Sequence, residues 1–312
     1  MRPIHKLPPS MAMNPPDNHA RGASLSVIIP TYNRAHLVEK TLASLQAQTL
    51  PGEAMDVVVV DDGSSDDTKQ VVTSFERTLS LKYVYQADRG FRVARARNLG
   101  IKLAESDICV FIDSGVVLER RCLEAHLNAH RRAAGPLALI GYVLGFSQTA
   151  DASCSLLSLA SQHSGDAIFA ELSQRPEHAD IREPIYARHR DDIGSLPAPW
   201  VFFWTCNVSV DRASLLRVGG FDERYTSWGC EDVDLGHALH AAGVPVALCR
   251  DATSLHYPHA KDRDENVRTS SINRRFLHAK YGTRATELLL TERCMDVNDI
   301  LLAEAGTRAG AA

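Results

Sequence analysis

Short apolar runs rich in β-branched residues alternate with segments of helical periodicity through about the first 130 residues. Leu25–Pro30, Asp56–Asp61 and Ile108–Ile112 are typical of buried strands, and Tyr83–Tyr85 is typical of a weaker one. Such alternation predicts right-handed βαβ units. We therefore expect an α/β fold with a mostly parallel central sheet flanked by helices.

The second half of the chain has a less regular pattern. Residues 137–146 predict another strand. Glu231–Ala242 predicts a helix that Gly243 ends, and Val244–Cys249 predicts a strand after it. Ala150–Pro199 is polar with little periodicity, and we expect it to be a long loop or variable insert. A further helix is expected over Asn273–Tyr281, followed by a frayed tail.

Composition narrows the class of protein. The 38 acidic and 34 basic residues leave a formal charge of −4, which argues against a protein built to coat nucleic acid. No apolar stretch approaches the roughly 20 residues of a membrane-spanning helix. The first 24 residues, with five prolines, are expected to form a disordered leader. The seven cysteines are scattered without a CxxC pair, so neither a disulfide framework nor a zinc site is expected, and a cytoplasmic location is favoured.

In an open parallel sheet, ligands lie beyond the carboxyl ends of the strands. The first acidic segment there is Asp61–Asp66, whose carboxylates could accept from the N3–H group of uracil or from a ribose hydroxyl. The structural alternative is an acidic turn with a helix cap. Four arginines after the next strand could bind a diphosphate or form a solvated helix face: Arg89, Arg92, Arg95 and Arg97.

Three later segments carry candidate chemistry. Asp113–Gly115 ends the fourth strand and could reach a divalent cation, although turns of this kind are common. Trp228 precedes Glu231 and Asp232 at a predicted helix N-terminus, which suits stacking on a sugar and proton abstraction, or helix capping alone. The two histidines of His256–His259 raise the chance of a metal site only slightly.

The order of these segments is more specific than any one of them. SVIIPTYNR, VVVVDDGSSDDT, DRGFRVARARNLGI, CVFIDSG, WTCNVSVDRASLLRVGGFDERY and WGCEDVDLGHAL together resemble glycosyltransferase family 2, with its GT-A fold, over about residues 25–259. The last two blocks are similar to the β-galactosyltransferases and the bacterial chondroitin polymerase domains. The resemblance implies a hexosyltransferase with a Rossmann-like donor half and an acceptor-side C-terminal half.

A division of the chain follows from the resemblance. The disordered leader would occupy residues 1–24 and the nucleotide-sugar-binding half residues 25–135. The acceptor-binding and catalytic half would occupy residues 136–260, with the variable insert at 150–199. A C-terminal helical extension and tail would occupy residues 261–312.

The resemblance also implies roles for individual residues. The donor-binding positions would be Pro30, Thr31, Tyr32, Arg34, Asp62, Arg95, Arg97, Asn98 and Asp113. Tyr32 would stack on the nucleobase and Asp62 would bond to it, whereas Asp113 begins the family's D-x-D motif. The acceptor-binding positions would be Trp228, Gly229 and Glu231. Asp232 would be the catalytic base, with Glu231 as the second catalytic carboxylate.

One position departs from the family pattern. Asp113 and His256 are the implied ligands of Mn²⁺ or Mg²⁺, but Gly115 replaces the last acid of the D-x-D motif. Either the metal is bound weakly, or arginines neutralise the diphosphate instead. The same change keeps a second reading open, which is a catalytically inactive module that binds a sugar nucleotide or a glycan.

The favoured function is an inverting glycosyltransferase. Its donor would be a UDP-sugar, with GDP- and TDP-sugars less favoured, and its acceptor a glycan or a small natural product. A nucleotidyltransferase or an NAD(P)-dependent oxidoreductase is set aside, because no G-x-G-x-x-G segment follows the first strand. The sequence carries no signal for an oligomeric state.

Overall fold

The computed structural model describes residues 24–146 and 150–310, with 150–151 and 308–310 described by backbone alone. Except for Ser24, the expected leader lies outside the described residues. The eight strands are β1 (Leu25–Thr31), β2 (Met55–Asp61), β3 (Leu81–Tyr85), β4 (Ile108–Ile112), β5 (Val116–Leu118), β6 (Ala138–Leu144), β7 (Asn207–Asp211) and β8 (Val246–His256). They form one sheet in the order β3-β2-β1-β4-β7-β6-β8-β5.

Helices cover the sheet. They are α1 (Ala35–Gln46), α2 (Thr68–Ser74), α3 (Val93–Leu103), α4 (Cys122–Arg132), α5 (Ala150–Gln162), α6 (Asp166–Ser173), α7 (Glu183–Arg188), α8 (Arg212–Val218), α9 (Glu231–Ala241), α10 (Arg263–Tyr281), α11 (Arg284–Leu288) and α12 (Val297–Gly310). Short 3-10 turns lie at Gly52–Ala54, Pro176–His178, Ile193–Ser195 and Pro199–Phe202. No helix in the described ranges is both long and apolar enough to cross a bilayer.

Both faces of the sheet are buried, as the all-apolar strands predict. In β1, Val27 and Ile29 pack with Val38 and Leu42 of α1 on one face. Ile28 points to the other face and packs in the second core cluster. A Cβ added to Gly100 of α3 would lie 2.3 Å from the Ile28 side chain, so that glycine lets α3 approach the strand closely. The alternation of faces along the strand thus fixes where both helices lie.

The sheet is parallel where the βαβ pattern is strongest. β3, β2, β1 and β4 are parallel neighbours, as expected. Beyond β4 the sheet is mixed, because β7 is antiparallel to β4 and β6, and β5 is antiparallel to β8, whereas β6 and β8 are parallel. The strands β1 to β4, which lie in the part of the chain predicted to bind the donor, therefore form the more regular part of the sheet.

The expectation of a long loop at Ala150–Pro199 is wrong. The segment forms α5, α6, α7 and two 3-10 turns. Leu156, Ile168 and Phe169 of these helices form a satellite core with residues of β6 and β8. The helices are short and their apolar residues face different neighbours, so no sustained period marks them in the sequence.

The C-terminal end is also more ordered than expected. The helix expected over Asn273–Tyr281 begins ten residues earlier, at Arg263, and the tail expected to fray forms α12 through Gly310. Val297 at the start of α12 is fully buried in the larger core cluster. This packing anchors the first turn of the helix.

Candidate functional site

The turn after β4 presents one carboxylate at the carboxyl end of the sheet. The Ser114 hydroxyl donates to the carbonyl of Pro30 at 2.9 Å, and the Gly115 amide donates to the Thr41 hydroxyl at 2.9 Å. Gly115 has a φ of +95°, and an added Cβ would lie 3.3 Å from Leu37. Because side chains with a Cβ rarely adopt this conformation, the turn disfavours an aspartate at position 115. Asp113 is left as the acid of this turn.

Arg97 joins this turn to the start of α9. Its guanidinium is 3% exposed and forms two ion pairs, to Asp113 Oδ1 at 2.8 Å and to Glu231 Oε1 at 2.9 Å. The residue lies on the inward face of α3, where Ala94 and Gly100 are also buried. Sequence reasoning gave Arg97 to the donor diphosphate. Since both ends of the guanidinium already bind carboxylates, the structure places it as a bridge beneath the site.

The loop before α9 is held in an unusual conformation. Gly229 and Cys230 both have positive φ, +102° and +72°. The Asn273 side chain of α10 donates towards the carbonyls of Ser227, Trp228 and Gly229, at 3.1, 3.2 and 2.8 Å. Trp228 is 48% exposed, so its ring is available to a ligand. Sequence reasoning missed Asn273, since nothing in its own segment marks it.

Two carboxylates of different character begin α9. Asp232 is partly buried, and its Oδ1 accepts from the Val233 amide at 2.7 Å. Burial raises the pKa of Asp232, the neighbouring charge of Glu231 raises it further, and Arg97 opposes the shift. Glu231 Oε2 is buried without a hydrogen-bond partner. Asp232 can therefore take up a proton near neutral pH, while Glu231 offers a free acceptor for a hydroxyl group.

The ends of β1 and β2 form the expected nucleobase pocket. Tyr32 is 45% exposed and its hydroxyl donates to Asp88 Oδ2 at 3.0 Å. Asp62 accepts from the Gln86 amide and from the Arg92 backbone N–H, and burial raises its pKa. Pro30 is buried behind them.

Two further polar atoms in this pocket have no partner. They are the buried Thr31 Oγ1 and Gln86 Oε1. Buried polar atoms are rarely left unpaired, so both side chains are candidate ligand contacts. Gln86 is a second residue that sequence reasoning missed, although it follows the predicted third strand.

In the described ranges, two predicted donor-binding residues, Asn98 and Arg95, do not bond to the residues of the nucleobase pocket. The Asn98 side chain bonds to the backbone of Phe221, donating to its carbonyl at 2.9 Å and accepting from its N–H at 2.8 Å. It therefore fixes the turn that follows α8. Arg95 is exposed on α3, and no hydrogen bond or ion pair joins it to the other site residues in the described ranges.

The loop after β8 lies against the Asp113 turn. The Tyr257 amide donates to the Gly115 carbonyl at 2.8 Å, and His256 pairs with Val116. The His256 and Phe146 rings meet edge-on with their centres 4.8 Å apart. Lys261 Nζ lies 5.0 Å from the centre of the Phe146 ring. Burial holds the pKa of His256 well below its usual range, and Lys261 lowers it further. Lys261 is a third residue that the sequence did not single out.

Asp113 and His256, the two implied ligands, do not fit a divalent cation. Asp113 is already ion-paired to Arg97, and both Arg34 and Lys261 act electrostatically on His256. Gly115 supplies no side-chain ligand. Across the described parts of the chain, no group of three or more His, Cys, Asp or Glu residues could hold a metal ion.

Comparison with known proteins gives two family matches along the chain. Residues 26–144 match the model described as glycosyl transferase family 2. Residues 195–260 match the model described as the N-terminal domain of galactosyltransferase. The second match covers the segment that contains Trp228, Glu231, Asp232 and His256.

Curated relatives agree with these matches. The chain is 39% identical to validoxylamine A glucosyltransferase of Streptomyces hygroscopicus subsp. jinggangensis (strain 5008), over 80% of this chain and 59% of that protein. It is 30% identical to the uncharacterized glycosyltransferase YfnE of Bacillus subtilis (strain 168), over 75% of this chain and 64% of that protein. Chondroitin synthase of Escherichia coli is 28% identical, over 80% of this chain and 37% of that protein. The matched region thus spans less than two thirds of each relative.

Solved structures share the fold at low sequence identity. TarS 1-349 of S. aureus superposes with a TM-score of 0.55 at 18% identity, over 86% of this chain and 69% of that chain. The mannosyltransferase PcManGT from Pyrobaculum calidifontis gives 0.51 at 21% identity, over 92% and 76%. Family models, relatives and fold neighbours converge on one assignment: the chain contains a glycosyltransferase family 2 domain and has the GT-A fold.

Proposed function

We propose that the chain is an inverting glycosyltransferase. It would move a sugar from a nucleotide-sugar donor to a hydroxyl group of an acceptor by a single displacement. The observation that carries this proposal is the arrangement of Asp113, Arg97 and Glu231 beside Asp232, because it joins the donor end of the sheet to a carboxylate of raised pKa.

A single displacement forms one bond at the anomeric carbon and breaks another. Asp232 takes the proton of the acceptor hydroxyl while that oxygen forms a bond to the anomeric carbon. The bond between the anomeric carbon and the phosphate oxygen breaks, and its electron pair leaves with the nucleoside diphosphate. A single displacement inverts the configuration at the anomeric carbon, so an α-linked donor gives a β-linked product.

A UDP-sugar is the favoured donor, with GDP- and TDP-sugars as alternatives. Asp62 and the unpartnered Gln86 Oε1 offer acceptors to a base N–H, and Tyr32 offers a ring for stacking. TarS structures contain UDP and UDP-GlcNAc, whereas PcManGT contains GDP-Man and Mn²⁺. These neighbours support a nucleotide-sugar donor. The residues around Asp113 do not favour a divalent cation, so the proposed step does not use one.

The acceptor would lie between Trp228 and the start of α9. The exposed Trp228 ring can stack on a sugar or cyclitol ring, Gly229 leaves room beside it, and Glu231 Oε2 can accept from a hydroxyl group. The name of the Streptomyces relative, a validoxylamine A glucosyltransferase, supports a small polyhydroxylated acceptor. The name of the E. coli relative, a chondroitin synthase, supports a glycan end.

The division of labour along the chain belongs to the same proposal. Residues 25–135 would bind the donor and residues 136–260 the acceptor, and the extension after residue 260 would contribute Lys261 and Asn273. A cytoplasmic location is proposed because all seven cysteines are free thiols.

Release of nucleoside diphosphate tests the function. Purified protein is offered UDP-, GDP- and TDP-sugars, each with a panel of aminocyclitol and oligosaccharide acceptors. We expect one donor class to turn over, and Asp232→Asn to lower turnover by roughly 10²–10⁴-fold because the proton acceptor is lost. Asp251→Asn removes an exposed carboxylate of β8 away from the site and is the matched control.

Two outcomes would contradict the assignment. Full activity of Asp232→Asn would remove that residue from the mechanism. Tight donor binding by the wild type without turnover on any acceptor would favour the inactive binding module instead, a function with which Gly115 is also compatible.

A further inference from the structure

Two cations converge on the carboxyl end of β4 without a carboxylate of their own. Arg34 and Lys261 each interact electrostatically with Asp113 and with one another. In the described ranges, neither forms an ion pair within 4 Å, whereas Arg97 pairs with Asp113 at 2.8 Å. Among the described residues, neither Arg34 nor Lys261 is therefore held in a direct ion pair, and both charges remain available to an anionic ligand.

Both cations are positioned by well-defined backbone. Arg34 precedes α1, and its carbonyl accepts from the amides of Leu37 and Val38 at 2.9 Å each. Arg34 thus lies at the end of β1, beside the nucleobase pocket. Because its backbone is fixed by the first turn of α1, its guanidinium has a restricted reach.

Lys261 is held from both sides. On one side, Tyr257 is fixed to Gly115 by a 2.8 Å backbone hydrogen bond. On the other side, Asp262 caps α10 by accepting from the Glu265 amide at 3.0 Å. The Lys261 side chain packs its Nζ against the Phe146 ring and is exposed overall, so the ammonium can reach a ligand in the site.

These two cations lie beside the turn where the resemblance put a metal ion. A donor diphosphate carries two or more negative charges, and it gains another as the bond to the sugar breaks. The turn that would hold a cation lacks its second acid, and the φ of +95° at Gly115 disfavours any replacement with a Cβ. Lysine and arginine are both established phosphate-binding groups in proteins.

We propose that Arg34 and Lys261 bind the donor diphosphate directly and stabilise it as the leaving group in place of a divalent cation. This inference rests on the proposed glycosyltransferase function. As the electron pair of the breaking bond moves to the β-phosphate oxygen, the guanidinium and the ammonium donate hydrogen bonds to the phosphate oxygens. Arg97 is a positioning residue in this arrangement, because it holds Asp113 and Glu231 but does not reach the phosphate.

Calorimetric binding of nucleotides separates this inference from the function itself. UDP, GDP and TDP, and their monophosphates, are titrated into the wild-type protein in EDTA and again with Mn²⁺. We expect one diphosphate to bind in EDTA at least about tenfold more tightly than its monophosphate, which corresponds to one charge-assisted hydrogen bond. Mn²⁺ should change the affinity for that diphosphate by less than about twofold.

Variants locate the effect. Lys261→Met and Arg34→Met should each weaken diphosphate binding by about tenfold or more and leave monophosphate binding almost unchanged. Lys261→Arg keeps the charge and should retain most of the affinity. Lys102→Met, at an exposed position of α3, is the matched control and should bind as the wild type does.

The failures are distinguishable. Diphosphate binding that disappears in EDTA and returns with Mn²⁺ would overturn the inference and leave the glycosyltransferase proposal intact. Unchanged diphosphate affinity in folded Lys261→Met and Arg34→Met would overturn it as well. If no mono- or diphosphate binds under any condition, the donor site itself is wrong and the proposed function fails first.

Discussion

Asp232 combines ionisability with a position beside the donor end of the sheet. Its carboxyl group is partly buried at the first turn of α9, next to a second carboxylate, and only Arg97 offers opposing charge among the groups that most affect it. An exposed aspartate would be a weaker base, since it loses its proton at much lower pH. Local burial thus turns an ordinary aspartate into a proton acceptor suited to neutral conditions.

The pH dependence of turnover follows from this environment. Burial and Glu231 raise the pKa of Asp232 to about 7, and the base must be ionised to act. Activity should therefore be retained above this pH and fall as the pH drops through it. Measuring kcat/KM from pH 5 to 9 checks this prediction, because the pH at which kcat/KM falls reports the pKa of the base in the free enzyme. Activity that stays constant down to pH 5, as expected for an aspartate with the ordinary pKa of about 4, would contradict the assignment.

Individual residues were predictable from the sequence where they lie in a short, recognisable block. Asp62, Asp113, Glu231 and Asp232 lie in short blocks whose order already suggested their region, and the structure brings them to one edge of the sheet. Arg97 was recognised as relevant, but its ion pairs with Asp113 and Glu231 were not anticipated. A bridge to Glu231, which is 134 residues away, has no local signature.

At the scale of elements, α10 supports the loop before α9. Asn273 contacts carbonyls 44 to 46 residues earlier in the chain, and it is buried on the same face of the helix as Thr269. Lys280, about two turns further along this face, pairs with Asp234 of α9 at 2.7 Å. The loop before α9 and the first turn of α9 are therefore both held by a helix that follows them in the sequence.

Removing the Asn273 side chain should loosen the acceptor site. Asn273→Ala leaves the carbonyls before α9 without their donor, so we expect about 1–3 kcal/mol lower stability. We also expect a higher KM for the acceptor, with diphosphate affinity unchanged, because the donor residues lie on other elements. Thermal unfolding and two-substrate kinetics measure these effects.

The exposed Arg275 on the same helix provides the control, as Arg275→Ala. Equal losses of acceptor and donor affinity in Asn273→Ala would show that the whole site, and not the loop, depends on this residue. Such a result would remove the specific supporting role of α10.

At the scale of the whole molecule, the regular part of the sheet was predictable and the C-terminal part was not. The strands β1, β2 and β4 are fully buried, the edge strand β3 is half-buried, and helices separate all four, so their pattern is visible in the sequence. α5 to α7 bury small apolar patches against different partners. Their order depends on tertiary contacts such as those of the buried Arg182, which donates to the carbonyls of Phe202 at 2.9 Å and Gly141 at 3.2 Å.

The long β8 shows the same limit. A strand was expected over residues 244–249, but pairing with β6 and then with β5 extends it to His256. That extension carries the loop of Lys261 to the Asp113 turn. The cationic part of the proposed site therefore arises from sheet topology, which a linear pattern does not reveal.

The anomeric configuration of the product tests the central claim most directly. With an α-linked donor sugar identified by the release assay, the product formed by the wild-type protein is examined by NMR before any hydrolysis. Single displacement by an acceptor oxygen that Asp232 deprotonates predicts a β-linked product. An α-linked product would require two displacements or a different mechanism, and would contradict the account of this site.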